Sequence, residues 1–160
     1  MAKTSGQKSS EGLVARNRRA FFNYEVGEAI EAGLVLIGSE VRSLRENGAD
    51  LRDAWVDIDV RGEAWVKGLR IPALKHAAFG HEERRARKLL LHAAQIERLR
   101  SAIERDGMTI VATKCYFKKN RAKLEVAVAR GKKQHDKRRA LRERDAEREA
   151  RTAMRARRDG

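Results

Sequence analysis

Ala129-Arg130-Gly131-Lys132-Lys133-Gln134-His135-Asp136-Lys137-Arg138 divides the chain into two unlike parts. On its N-terminal side, apolar and polar residues alternate, with enough Val, Ile and Leu to fill a core. On its C-terminal side, to Gly160, the large apolar residues are Leu141 and Met154, and the rest is charge and alanine. A folded body therefore meets a charged tail at one basic joint.

Working outward from that joint, Ala122 to Arg130 places Leu124, Val126 and Val128 on one side and Lys123, Glu125 and Ala127 on the other, the period of a half-buried strand. Lys118-Lys119-Asn120 reads as its turn, and Thr109 to Phe117 as its partner. Ala54 to Val60 alternates in the same way, with Val56, Ile58 and Val60 opposed to Trp55, Asp57 and Asp59, and Arg61-Gly62-Glu63 turns it into Ala64 to Ile71. Phe21 to Ile30 and Leu34 to Ile37 read as a hairpin around Glu31-Ala32-Gly33, preceded by a basic lead-in from Val14 to Ala20. Gly38-Ser39-Glu40 opens a short helix with Ser39 as its N-cap, carrying Val41, Leu44 and Arg45 on one face and ending at Asn47-Gly48. Ile96, Leu99 and Ile103 give a second helix over Ala94 to Asp106, closed by Gly107. Between them lie a long loop, Pro72 to Arg87, and a short buried stretch, Lys88 to His92.

Strands that neighbour one another in sequence, with no β-α-β rhythm, make the fold mainly β with short helices. The architecture that fits is a small antiparallel barrel of OB type with about six strands, because closure removes exposed edges. It spans residues 13–131, between a polar segment 1–12 expected to be disordered and a basic tail 132–160. Arg/Glu pairs four apart, such as Arg139 with Glu143 and Glu147 with Arg151, lend a tail helix only ~0.2–0.5 kcal/mol each. The tail is thus expected to be disordered when free and helical against a polyanion.

Composition narrows the partners. The 37 Lys+Arg residues against 23 Asp+Glu give a net charge of +14 and a pI near 10.6, the electrostatic footprint of a nucleic-acid binder. No run approaches the ~18 apolar residues of a spanning helix, and the polar N-terminus has no apolar segment of signal-peptide type. A single cysteine, Cys115, excludes an internal disulfide and fits a reducing cytoplasm. The four histidines lack metal-ligand spacing, so no metal and no cofactor are expected. Asp57 and Asp59 share a strand face and are the nearest approach to a Mg²⁺ pair, but the solvated face opposite Val56 and Ile58 accounts for them. Nothing in the pattern calls for an enzyme.

Three basic clusters point to RNA. Arg16, Arg18 and Arg19 adjoin Phe21, Phe22 and Tyr24, the parts of a stacking platform with a phosphate clamp. Arg84, Arg85, Arg87 and Lys88 form the second, which reads equally well as a solvated loop. The third opens the tail, where twelve basic residues from Lys132 onward face six acidic ones.

Four motifs, in order and at matching spacings, then carry a resemblance. They are Glu31-Ala32-Gly33-Leu34, Gly38-Ser39-Glu40-Val41-Arg42-Ser43-Leu44-Arg45, Arg87-Lys88-Leu89-Leu90-Leu91-His92, and the joint Ala129 to Arg138. Together they resemble small protein B, the SsrA-binding protein family of bacteria, from about Val14 into the tail. The resemblance implies an OB-type barrel and a function in trans-translation. Such an adaptor binds the tRNA-like domain of transfer-messenger RNA and delivers it to the A site of a stalled ribosome. It implies RNA contacts at Asn17, Glu31, Leu90 and Lys123, beside those read above at Arg18, Arg19, Phe22, Tyr24 and Lys88. Ribosome contacts in the decoding centre and empty mRNA channel would fall to Gly131, Lys132, Lys133, His135, Asp136, Lys137, Arg138 and Met154, with His135 available to stack on a base. Alanyl-tRNA synthetase and elongation factor Tu would be indirect partners of a cytoplasmic monomer, with no membrane involved. The chain departs from the family pattern in its loop, where Glu82-Glu83 replaces Asp-Pro and Ala86 a second Pro, and at Phe22. The competing reading is a structural ribosomal or nucleoid protein that only neutralises phosphates.

Overall fold

The computed structural model describes residues 12–75, 80–132 and 134–159. The segment 1–11, expected to be disordered, lies outside the described residues, as do 76–79 of the long loop and Lys133. In chain order the described strands are β1 (Leu13–Arg16), β2 (Tyr24–Leu34), β3 (Trp55–Ile58), β4 (Ala64–Lys67), β5 (Arg87–Leu90), β6 (Thr109–Lys118) and β7 (Arg121–Gly131). Among the described residues the helices are α1 (Arg18–Asn23), α2 (Gly38–Asn47), α3 (Ala93–Asp106) and α4 (Gln134–Asp159).

All strand pairings are antiparallel, in the order β1-β6-β3-β4-β5-β2-β7, and β7 also pairs with β6. That last pairing closes β6-β3-β4-β5-β2-β7 into a ring of six, with β1 laid against β6. The barrel follows from period-2 patterning. Ala32 of β2, Leu124 of β7 and Cys115 of β6 stand in register, all 0% exposed, and Leu34 faces Leu89 one step on. Val56, Val66, Ile110 and Val126 complete the interior, each such side chain contributing about 1.5–3 kcal/mol by leaving water. Leu99 and Ile103 of α3 enter this core. Gly107, at φ 60°, supplies the left-handed cap, its N–H bonded to Ala102 O. Lys119 and Asn120, at φ 52° and 62°, make the two-residue turn of the β6–β7 hairpin.

Several expectations are corrected. Phe21 and Phe22 are not the start of a strand; they belong to α1, which buries Ala20 against Val111 and Ala129 on the outside of the sheet. Glu31-Ala32-Gly33 is not a turn, because β2 runs unbroken through it and both Ala32 and Leu34 point inward. Ser39 is not the cap of α2. Ile37 is, its N–H donating to Glu40 Oε1 at 3.0 Å. The stretch around Leu90 is not wholly buried; it alternates, with Leu89 2% and Leu90 57% exposed. Strand β4 ends at Lys67, and Val60 lies in the turn, fully exposed.

Arg87, read as part of a basic RNA cluster, is 0% exposed and ion-paired with Glu40, itself 0% exposed. Arg85 grips the other carboxylate oxygen of Glu40, while Arg87 also donates to the carbonyls of Leu69, Glu82 and Glu83. Glu83 in turn pairs with Arg70 at 2.9 Å and accepts from Ala73 N–H. The long loop is therefore tied down from both ends, and by one of the residues that depart from the family pattern.

Helix α4 has 26 residues, and the side chains described in it are exposed, Leu141 at 44% and Met154 at 70%. Its root is held by Lys132, whose N–H donates to Asn23 O and whose Nζ donates to Phe21 O. Further along, the Arg144 guanidinium lies 6.0 Å from the Phe22 ring centroid.

Candidate nucleic-acid interface

One row of residues crosses five strands on the outer face of the barrel. Leu90 of β5 stands opposite Gly33 of β2, Gly33 opposite Lys123 of β7, Lys123 opposite Tyr116 of β6, and Tyr116 opposite Leu13 of β1. The row inside it is the buried Ala32, Leu124 and Cys115, so strand alternation itself delivers these side chains outward. Gly33 matters for what it lacks. A Cβ there would sit 3.1 Å from Leu90 Cβ, so the absent side chain is what lets Leu90 lie across β2.

Two residues before Gly33, on the same face, Glu31 meets Tyr116 and Lys118. The Tyr116 hydroxyl donates to Glu31 Oε2, and Lys118 Nζ lies 3.5 Å from the same oxygen. The Tyr116 bond, ahead of the Lys118 and Lys123 charges, holds the Glu31 carboxyl below its usual range against the opposing effect of burial. Burial and the hydrogen bond to Glu31 push the Tyr116 phenol up. Glu31, Lys118, Lys119, Arg121 and Lys123 line a basin of about 450 Å³. Beside it, Gly33, Leu36, Val41, Leu90 and Phe117 form the apolar wall of a hollow of about 250 Å³ that Asn120, Arg121 and Lys123 also line, with Arg45 stacked 4.1 Å over Phe117. Cations around one acceptor, next to an exposed apolar shelf, can hold phosphates and a base together.

The structure thus brings Glu31, Leu90 and Lys123 onto one surface. Lys88 shares the outward side of β5 with Leu90 but reaches Glu63 at 3.4 Å. The other sequence-derived residues lie elsewhere. Tyr24 is nine positions from Gly33 along β2, about 30 Å of strand. It packs against Ala20, Val111 and Ala129, whereas Arg18 and Arg19 of α1 are exposed and Phe22 is half-buried. Asn17, an RNA contact by resemblance, is an interior residue of the fold. It is 2% exposed, and its amide NH₂ donates to Leu51 O and Ala112 O at 2.8 Å each while Oδ1 accepts from Ala20 N–H. Its work is to cap α1 and bind it to the barrel.

At the joint, Gly131 ends β7 opposite Tyr24, and Arg138 is exposed. Gln134 to Lys137 are helical in backbone, which is what the structure describes of His135, Asp136 and Lys137. Sequence reasoning missed Tyr116, Lys118, Lys119 and Arg121 as site residues. The signal was present in the basic turn Lys118-Lys119-Asn120, which places cations beside the outward row of β7. Asp57 is paired with Lys67 at 3.0 Å, and Asp59 accepts from Arg61 N–H, Glu63 N–H and Trp65 Nε1. Both carboxylates are engaged in the β3–β4 hairpin. Burial pushes the Cys115 thiol up to about 12, the behaviour of a core residue. Among the described residues no helix is long and apolar enough to cross a membrane.

Comparison with known proteins bears on this surface. The profile of the SmpB protein family matches residues 14–156. An SsrA-binding protein of Sorangium cellulosum is 53% identical over 147 residues, covering 92% of this chain and 90% of its own. One of Bifidobacterium adolescentis is 47% identical over 156 residues, covering 97% and 96%. A solved structure, described as "tmRNA-SmpB: a journey to the center of the bacterial ribosome", matches with a TM-score of 0.64 at 37% identity, over 81% of this chain and 94% of that one. By motif, barrel and alignment alike, the chain belongs to the SmpB protein family.

Proposed function

We propose that this chain is the RNA-binding adaptor of trans-translation. The barrel binds the tRNA-like domain of transfer-messenger RNA, and the tail enters the decoding centre and the empty mRNA channel of a stalled ribosome. The observation that carries the reading is the convergence of Glu31, Leu90 and Lys123 around Gly33, ringed by Lys118, Lys119 and Arg121. Such a surface selects as well as attracts: the cations hold phosphate, while a carboxylate accepts donors from a base or ribose. The family match and the names of the SsrA-binding relatives support the same partner.

The second basic surface, Arg18, Arg19 and Phe22 on α1, lies beside the root of the tail at Lys132, so in this reading it faces the ribosome together with α4. The tail is a coil in solution and takes its helical form against ribosomal RNA, which supplies the counter-charge its own pairs do not. An mRNA-filled channel excludes it, so only a stalled ribosome admits the adaptor. The work is binding and delivery, not catalysis, and its place is the cytoplasm.

A gel-shift titration with the tRNA-like domain, competed by ordinary tRNA and an unrelated RNA at ~150 mM salt, tests this directly. Selective retention of the tRNA-like domain is expected. Glu31→Ala should weaken binding even though it makes the protein more basic. Indifference among the three RNAs would reduce the protein to a phosphate-neutralising structural component.

A further inference from the structure

We infer that Tyr116, which no family motif in the sequence includes, is a positioning residue for RNA recognition: it fixes the Glu31 carboxylate so that Oε1 is presented to a hydrogen-bond donor of the RNA. The inference rests on the reading of Glu31 as an RNA contact and adds how that contact is built.

Both fixed partners of Glu31, the Tyr116 hydroxyl and Lys118 Nζ, fall on Oε2. Among the described residues the carboxylate is thereby oriented without spending its other oxygen, whose acceptor capacity faces the rim of the basin. Tyr116 is itself held from two sides, by pairing with Leu13 of β1 and Lys123 of β7. Its ring is half-buried, so the hydroxyl arrives on a rigid element rather than a mobile side chain. The Glu31 side chain is 37% exposed, open enough to meet RNA.

A carboxylate among cations has two failure modes. Unfixed, it can swing onto Lys119 or Lys123 and spend its free oxygen there; protonated, it loses the charge that strengthens the bond. The Tyr116 bond opposes both, and the lowered Glu31 value agrees with that geometry. The ligand feature read is an N–H of an unpaired base or a ribose 2′-hydroxyl, set among phosphates that the cations hold.

The test uses full-length protein carrying Tyr116→Phe, which keeps the ring and removes the hydroxyl. Carboxyl NMR should show Glu31 titrating at higher pH in the variant than in the parent. Affinity for the tRNA-like RNA should fall roughly tenfold at neutral pH. Glu31→Gln should weaken binding similarly, and combining it with Tyr116→Phe should add nothing. Lys118→Met, which also removes a phosphate-holding cation, should move the Glu31 titration less than Tyr116→Phe does. With 2′-deoxy loops in the RNA, a persisting ratio of parent to variant assigns the donor to a base, and a vanished ratio assigns it to the ribose. An unmoved Glu31 titration, unchanged affinity, or additive losses in the double variant would overturn the inference. Indifference of the parent protein among RNAs would instead overturn the adaptor reading, while the Glu31 titration would still decide this one.

Discussion

The barrel and α4 both carry a surplus of positive charge, yet charge has opposite consequences in them. In the barrel, several charges are structural. Glu40 and Arg87 are fully buried partners 47 positions apart in sequence, and they tie α2 to β5 and the long loop. In α4 the described side chains face solvent, with Lys132 anchoring the chain just before the helix and Arg144 lying over Phe22. The same residue types therefore specify a fold in one region and a contact surface in the other. What decides between them is desolvation: a buried charge must have its partner, whereas an exposed one is free to exchange protein for RNA.

Glu40→Ala should break the barrel side of the comparison most severely. It leaves Arg87 buried without its counter-charge and should cost about 3–5 kcal/mol in urea unfolding. A loss below 1 kcal/mol would mean that the pair is not what holds the loop. Asn17→Ala should come next, at about 1–3 kcal/mol, because it uncaps α1 and strands the carbonyls of Leu51 and Ala112. If Asn17 instead touched RNA and did nothing for the fold, the variant would melt like the parent and lose affinity only.

A smaller effect is expected at Asp50, whose carboxyl is held down to about 2, chiefly by the Arg52 guanidinium, from an ordinary 3.8. A depressed carboxylate contributes stability that is complete above 3.8 and lost as pH falls toward 2. Asp50→Asn should therefore be mildly destabilised at neutral pH, and its deficit should close across that window. A deficit unchanged from pH 5 to pH 2 would show that the Arg52 pair contributes nothing through charge.

Much of this division was legible from the chain. Alternation marked β3 and β7, the Lys118-Lys119-Asn120 turn marked β6, and helical spacing marked α2 and α3. The misreadings share a cause. Phe21 and Phe22 favour strands by propensity, but a six-residue helix capped by Asn17 wins because Ala20 can bury against Val111. Gly33 looks like a turn residue, yet its missing Cβ serves the approach of Leu90 from another strand. Arg87 looks like one of four surface cations until a distant glutamate is found against it. Local patterns report which face a residue takes; they do not report which residue it will meet there. For the site, the same limit explains why Glu31, Leu90 and Lys123 came from family resemblance and Tyr116 only from the register of β6 with β7.

The measurement that tests the account most directly is the deletion of Arg139 to Gly160, assayed for both tRNA-like RNA binding and rescue of stalled ribosomes. RNA affinity should stay within about twofold of the full chain, since additivity holds for distant sites, while rescue is lost. Loss of both activities would place α4 in the RNA site and contradict the division between a barrel that grips and a tail that probes.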